Sequence, residues 1–182
     1  MTYVALLRSI NVGGNNKIPM LELRLLFKGL GCNDVRTYIN SGNVLFSDGR
    51  SSTELQSAIE ASLHTTFGFT VKVLVIDKPS LDRIASALPD TWRTDATMKC
   101  DVLFLWVEKN SDQVLGELTT KPAIDSIKYV DGALLWSVPR NQVNESGLLK
   151  LAGTNFCKQM TIRNCNTVRK LAQLSDDAVT IV

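Results

Sequence analysis

Strand and helix signals run in the order β-α-β-β-α-β over residues 3–76 and recur in that order, about 98 residues further on, over 100–182. The first strand of each copy is apolar on both faces, and no Gly/Ser/Pro-rich linker separates the copies. These observations predict an α+β fold of two ferredoxin-like (βαββαβ) halves packed into one compact unit. The expected boundaries are 1–77 for an N-terminal αβ-plait half, 78–99 for a connecting helix and loop, and 100–182 for a C-terminal half with an insertion at 139–165.

Residues 3–8 open on a continuous apolar run and read as a buried strand. A polar, glycine-rich stretch, 11–17, follows. Pro19 suits the first position of a helix, where its missing N–H is harmless. Leu23, Leu26, Phe27 and Leu30 then recur at helical spacing, and Gly31 offers a left-handed stop, giving a helix over 19–30. Segments 35–39 and 44–46 flank the turn Asn40-Ser41-Gly42-Asn43 and read as a hairpin. Ser51 and Glu54 have capping-box spacing. Behind them Leu55, Ala58, Ile59 and Leu63 form the stripe of a helix over 52–66, and 69–76 is the next strand.

The connecting helix shows Leu81, Ile84, Ala85 and Leu88 on one face and stops at Pro89. Residues 100–107 read as a strand and 111–118 as a short helix. Segments 127–130 and 133–138 form a hairpin through Asp131-Gly132. After the irregular insertion, 166–174 reads as a helix, and 178–182 alternates like an edge strand. Tyr3, Ala5 and Leu7 oppose Val4 and Leu6; Leu103 and Leu105 oppose Val102, Phe104 and Trp106. Strands apolar on both sides are expected to be covered on both sides.

Of the 182 residues 45% are hydrophobic and 21% charged, ordinary globular usage that excludes disordered and fibrous classes. The longest apolar run, 102–107, is far short of the ~20 residues that span a bilayer. The first eight residues lack a basic leader, so a cytoplasmic location is expected. The net charge of +2 hides an asymmetry: residues 1–46 carry +3, 47–138 carry −4, 139–170 carry +5 and 171–182 carry −2. Were the two basic blocks to meet, they would form a surface attractive to anions, phosphates or nucleic acid; a solvated basic face is the plainer alternative. Cys32, Cys100, Cys157 and Cys165 show no C-x-x-C spacing and His64 is the lone histidine, so no metal site is expected, and the thiols read as reduced and mostly buried.

Two stretches could carry chemistry. In the first, backbone N–H groups freed by Gly13 and Gly14 could cradle an anion, helped by the following helix and by Lys17; Asn11 belongs to this loop and Arg8 leads into it. It matches neither the Walker pattern nor Gly-x-Gly-x-x-Gly, and its glycines could equally serve only to permit a turn. The second runs from Lys150 to Arg169. Arg163, Asn164, Asn166 and Thr167 are good anion-binding groups, yet the same residues could simply cap a helix. His64 reads as a helix residue and not a base, Asp176-Asp177 as a solvated turn, and Trp106 and Trp136 as core, with Trp92 the exposed aromatic. No nucleophile or general base stands out, and no cofactor motif is present. The aromatic signature of sheet-face RNA binders is also missing, which disfavours nucleic acid as a partner.

The segments Tyr3-Val4-Ala5-Leu6-Leu7-Arg8-Ser9-Ile10-Asn11-Val12-Gly13-Gly14 and Asn16-Lys17-Ile18-Pro19-Met20 resemble the opening of a bacterial family known as domain of unknown function 1697. Val35-Arg36-Thr37-Tyr38-Ile39-Asn40-Ser41-Gly42-Asn43-Val44 resembles its second block and Thr161-Ile162-Arg163-Asn164-Cys165-Asn166-Thr167-Val168 its C-terminal block. Ser9 stands where that family usually has Gly, and Cys165 where it usually has Trp. The resemblance implies an αβ-plait protein of the bacterial cytosol and supplies no reaction.

The function expected from all of this is binding of a small anionic ligand, bearing phosphate or carboxylate, between the loop 11–17, the turn Asn40, Ser41 and Asn43, and the basic segment holding Lys150 and Arg163. Salt-sensitive nucleic-acid binding through the same surface and a scaffold role without a small ligand are the alternatives.

Overall fold

The computed structural model describes residues 1–13, 16–151 and 154–176. By its internal contacts the chain divides into two units, one of Met1–Leu81 with the end of the last helix from Leu171, the other of Asp82–Lys170.

The first unit contains β1 (Thr2–Leu7), α1 (Met20–Gly29), β2 (Asn33–Tyr38), β3 (Asn43–Ser47), α2 (Ser52–Phe67) and β4 (Val73–Asp77). Its antiparallel sheet has the order β2-β3-β1-β4, the ferredoxin-like arrangement. Alternation along β1 decides the layering. Tyr3, Ala5 and Leu7 point into a core with Phe46 of β3, Val73 and Val75 of β4, Leu23 and Phe27 of α1, and Leu55, Ile59 and Leu63 of α2. Val4 and Leu6, on the opposite face, are also fully buried, as their two-sided apolar pattern requires.

The helices start and stop where the sequence signals stand. Ser51 Oγ accepts from the Glu54 amide and the Glu54 carboxylate accepts from the Ser51 amide, a complete capping box. Gly31, at φ +85°, closes α1 in a Schellman motif, with its N–H bonded to the Lys28 carbonyl and that of Cys32 to the Phe27 carbonyl. Pro19 differs from the expectation: it lies just before α1 with extended ψ 134° and offers no side-chain cap. Strand β4 begins only at Val73; the residues from 69 to 72 precede it as a link from α2.

The second unit begins within α3 (Lys78–Ser86) and comprises its end, β5 (Met98–Leu105), β6 (Ser126–Val130), β7 (Ala133–Pro139), β8 (Met160–Asn164) and the start of α4 (Cys165–Asp176). Its antiparallel sheet, β6-β7-β5-β8, repeats the strand order of the first. The expected hairpin turns at Gly132, whose φ is +94°. What differs is the cover. The short helix expected at 111–118 is a 3-10 turn, Asp112–Glu117. A string of 3-10 turns, Arg140–Glu145, Gly147–Leu151 and Cys157–Gln159, stands where the first unit has α2.

The fourth strand, β8, lies inside the segment expected to be an irregular insertion, and it precedes its helix. Its alternation is disguised because two of its buried residues, Thr161 and Arg163, on the face opposite the core residue Met160, are polar. The edge strand expected at 178–182 lies outside the described residues. Leu103, Leu105, Leu134, Trp136, Val138 and Met160 build the core on one face, closed by Val114 and Leu148; Val102 and Phe104 are buried on the other.

Candidate functional site

Chain leaving β1 must reverse before α1, and it does so through left-handed residues. Ser9 and Asn11 (φ +55° each), Gly13 (+60°) and Asn16 (+49°) all take positive φ. Asn and Gly tolerate this region best, which is why the loop is built of them. The Asn11 amide donates to the Asn16 carbonyl at 3.2 Å and closes the loop. The Asn11 side chain then stitches three pieces together. Its Oδ1 accepts from the Ile18 amide at 2.8 Å, while Nδ2 donates to the carbonyls of Ile18 and Asn40, each at 3.0 Å.

The turn between β2 and β3 reaches the same place from the other side. Ile39 is left-handed at φ +49° and Gly42 at +75°. The Gly42 carbonyl accepts from the Leu7 amide at 2.8 Å, and a Cβ on Gly42 would come within 2.8 Å of the Leu7 and Ile10 side chains. The turn therefore rests directly on the end of β1. Asn43, fully buried, holds it by donating to the Tyr38 carbonyl and to Ser41 Oγ.

Between loop, turn and helix start lies an open concavity of about 400 Å3, lined by Asn11, Lys17, Ile18, Pro19, Met20 and Asn40. The sequence-expected residues Asn11, Lys17 and Asn40 thus meet in one place, while Ser41 and Asn43 brace the turn and do not line the concavity. Lys17 is exposed, and α1 begins with no side-chain cap, so its first N–H groups offer positive potential to the same space. Gly13 is exposed on the loop, and Gly14 lies outside the described residues. Arg8 is half-buried, its amide bonded to the Lys72 carbonyl, and does not line the concavity.

The expected residues of the basic segment belong to the second unit. Lys150 is exposed on a 3-10 turn. Arg163 is buried; Nη1 donates to Thr161 Oγ1 and the Ile162 carbonyl, and burial pulls the guanidinium pKa down to about 10. Asn164 caps α4 by accepting from the Thr167 amide at 2.8 Å, and Thr167 is buried beside it. Asn166 donates to the Thr94 carbonyl. Lys17 and Arg163 thus fall in different units.

Three of the four cysteines, Cys32, Cys100 and Cys165, are buried and Cys157 is half-buried; all are free thiols. Cys165, at the N-terminus of α4, takes a hydrogen bond from Cys100 that lowers its pKa and raises that of Cys100. His64 is exposed on α2.

Three side-chain groupings escaped the sequence. Ile18, Pro19 and Met20 complete the concavity, with no signal beyond their position after the loop. Asp48 binds Arg50 at 2.7 Å, and Arg50 also donates to the Leu30 carbonyl, tying the β3–α2 connection to the end of α1. Asp125 is buried, and its carboxylate accepts from Trp136 Nε1, Ser146 Oγ and the amides of Lys121 and Gly147. Burial pushes this carboxyl up, but the Ser146 hydroxyl, the two amides and the indole together hold its pKa below the ordinary range. Those donors come from three separate segments, so no local pattern could announce them.

No helix among the described residues is long and apolar enough to cross a membrane. The comparison with curated proteins finds no match. Among solved structures, the chain is similar to the conserved bacterial protein SP0830 from Streptococcus pneumoniae. The two share 29% identity and a TM-score of 0.81, over 96% of this chain and 98% of that one. The pattern of the family described as Protein of unknown function (DUF1697) matches residues 1–136, which hold the loop, the turn and every residue lining the concavity, and the chain belongs to that family.

Proposed function

We propose that this protein binds a small ligand bearing phosphate or carboxylate, and that the concavity at the start of α1 is where it does so. The observation carrying this reading is the meeting of Lys17, the uncapped start of α1 and the exposed Asn40 around one open space. An anion there would gain a charge-assisted contact from the Lys17 ammonium and backbone donors from the helix. The strained backbone supports the same reading. Ile39 is a β-branched residue held left-handed next to Asn40, and such strain concentrates where a surface is shaped for binding. The basic segment around Lys150 and Arg163 is a second contributor to the anion-attracting charge of the chain, with Asn164 and Thr167 also serving α4 and Arg163 bonded within β8.

A thermal-shift panel of inorganic phosphate, nucleotides, sugar phosphates and short single-stranded RNA, run on wild type, Lys17→Ala and Arg163→Ala, tests the proposal. An anion at 100 times its Kd adds about 2.7 kcal/mol, or roughly 2–4 °C per kcal/mol for a chain of this size. Lys17→Ala is expected to weaken binding about tenfold or more, the worth of a charge-assisted hydrogen bond. An unchanged response in Lys17→Ala, or no response to any anion, overturns it. A response to RNA alone, falling steeply with salt, would move the function to nucleic-acid binding.

A further inference from the structure

The second unit holds a smaller, more enclosed cavity of about 190 Å3 on the face of its sheet that carries the core. It exists because the 3-10 turns after β7 cover less of the sheet than the sixteen-residue α2 covers in the first unit. Its walls are apolar, from Leu103, Trp136, Leu148, Leu151 and Ile162, and at one end stand Lys99 and Asp101. A cavity of roughly 150 Å3 with such walls accepts a benzene-sized body.

Asp101 decides the chemistry. It lies on β5, the second strand from one edge, and is only 8% exposed. Asp125, equally buried in the same unit, is saturated by four donors; among the described residues Asp101 pairs with the Lys99 ammonium at 3.4 Å and also feels the charge of Arg140. Burial pushes its carboxyl up even with Lys99 beside it. Lys99 is the more exposed member of the pair, with its ammonium 5.2 Å from the Trp136 ring centroid. Its long stem can carry that charge into water, and an incoming ammonium then takes its place so that the buried carboxylate keeps a partner. The short Asp101 side chain has no such freedom. An incoming ammonium can therefore replace Lys99, whereas an incoming carboxylate would be driven against Asp101.

We propose that this cavity is a binding site for a small organic amine, its apolar body against Trp136 and Leu103 and its ammonium on Asp101. It is separate from the anion site of the first unit and independent of that reading.

Titration calorimetry of the full chain with benzylamine, benzyl alcohol and benzoate tests it. Benzylamine is expected to bind at least tenfold more tightly than benzyl alcohol, and benzoate not at all. Asp101→Asn should bring the amine-to-alcohol ratio close to one while alcohol binding persists. Lys99→Met, which removes the competing ammonium and keeps the apolar stem, should strengthen benzylamine binding several-fold, and it carries the test if Asp101→Asn fails to fold. Benzoate binding as well as benzylamine, an amine preference surviving Asp101→Asn, no gain in Lys99→Met, or no binding of any probe each overturns the proposal.

Discussion

Ile39 and Gly42 occupy one turn and make opposite demands on it. Both backbones are left-handed, but Gly42 has no Cβ to strain, while a Cβ there would press on Leu7 and Ile10 at 2.8 Å. Ile39 carries a branched Cβ in a region that disfavours it by about 1–2 kcal/mol, and the residue is 48% exposed, so little packing offsets the strain. Ile39→Asn is accordingly expected to stabilise the protein by about 1 kcal/mol, because Asn tolerates the left-handed region. Gly42→Ala should destabilise it by about 2 kcal/mol or more through the clash with the end of β1. Urea denaturation of both variants checks the pair; a destabilised Ile39→Asn would mean that the side chain contributes packing beyond its exposure. If the strain at Ile39 shapes the concavity beside Asn40, the stabilised variant should also bind its anion less well.

At the scale of elements, a signal is legible when cause and effect are close in sequence. Helix α2 was readable because Ser51 and Glu54 cap it from three residues apart, and Ser51→Ala is expected to lower stability by about 1 kcal/mol, seen as a fall of roughly 2–4 °C in Tm. The Schellman stop of α1 at Gly31 and the hairpin at Gly132 were legible for the same reason. Strand β8 was not. Its buried Thr161 and Arg163 are polar groups satisfied by local partners, so one face of the strand carries no apolar signal. The candidate site divides along the same line. Asn11, Lys17 and Asn40 could be picked out because polar, glycine-rich turns between a strand and a helix gather there. That Asn11 would spend its side chain on Ile18 and Asn40 depends on a contact 29 residues away. The amine cavity was illegible altogether, since it arises from what the 3-10 turns after β7 fail to cover.

For the whole molecule, acid stability is where buried side chains of both units act on one observable. Asp48 in the first unit is held well below the usual carboxylate range, chiefly by its hydrogen bonds from Arg50, and Asp125 in the second is lowered by its four donors against its burial. A carboxyl whose folded pKa lies below its unfolded value of about 3.9 contributes stability that is fully present above that value and is lost as pH falls through the folded pKa. Asp101, raised by burial, acts with the opposite sign: its contribution opposes folding once pH exceeds the unfolded value and recedes in acid. Stability should therefore fall below about pH 4, and Asp48→Asn and Asp125→Asn should each flatten that fall, whereas Asp101→Asn should steepen it. The two units can be read separately. Trp92, Trp106 and Trp136 all lie within Asp82–Lys170, so tryptophan fluorescence follows the second unit, while far-UV circular dichroism follows both. Asp125→Asn is expected to shift the fluorescence-monitored acid transition directly, because Trp136 Nε1 donates to that carboxylate. An acid transition that Asp125→Asn leaves in place would show that the depressed carboxylate contributes nothing to folding despite its four donors.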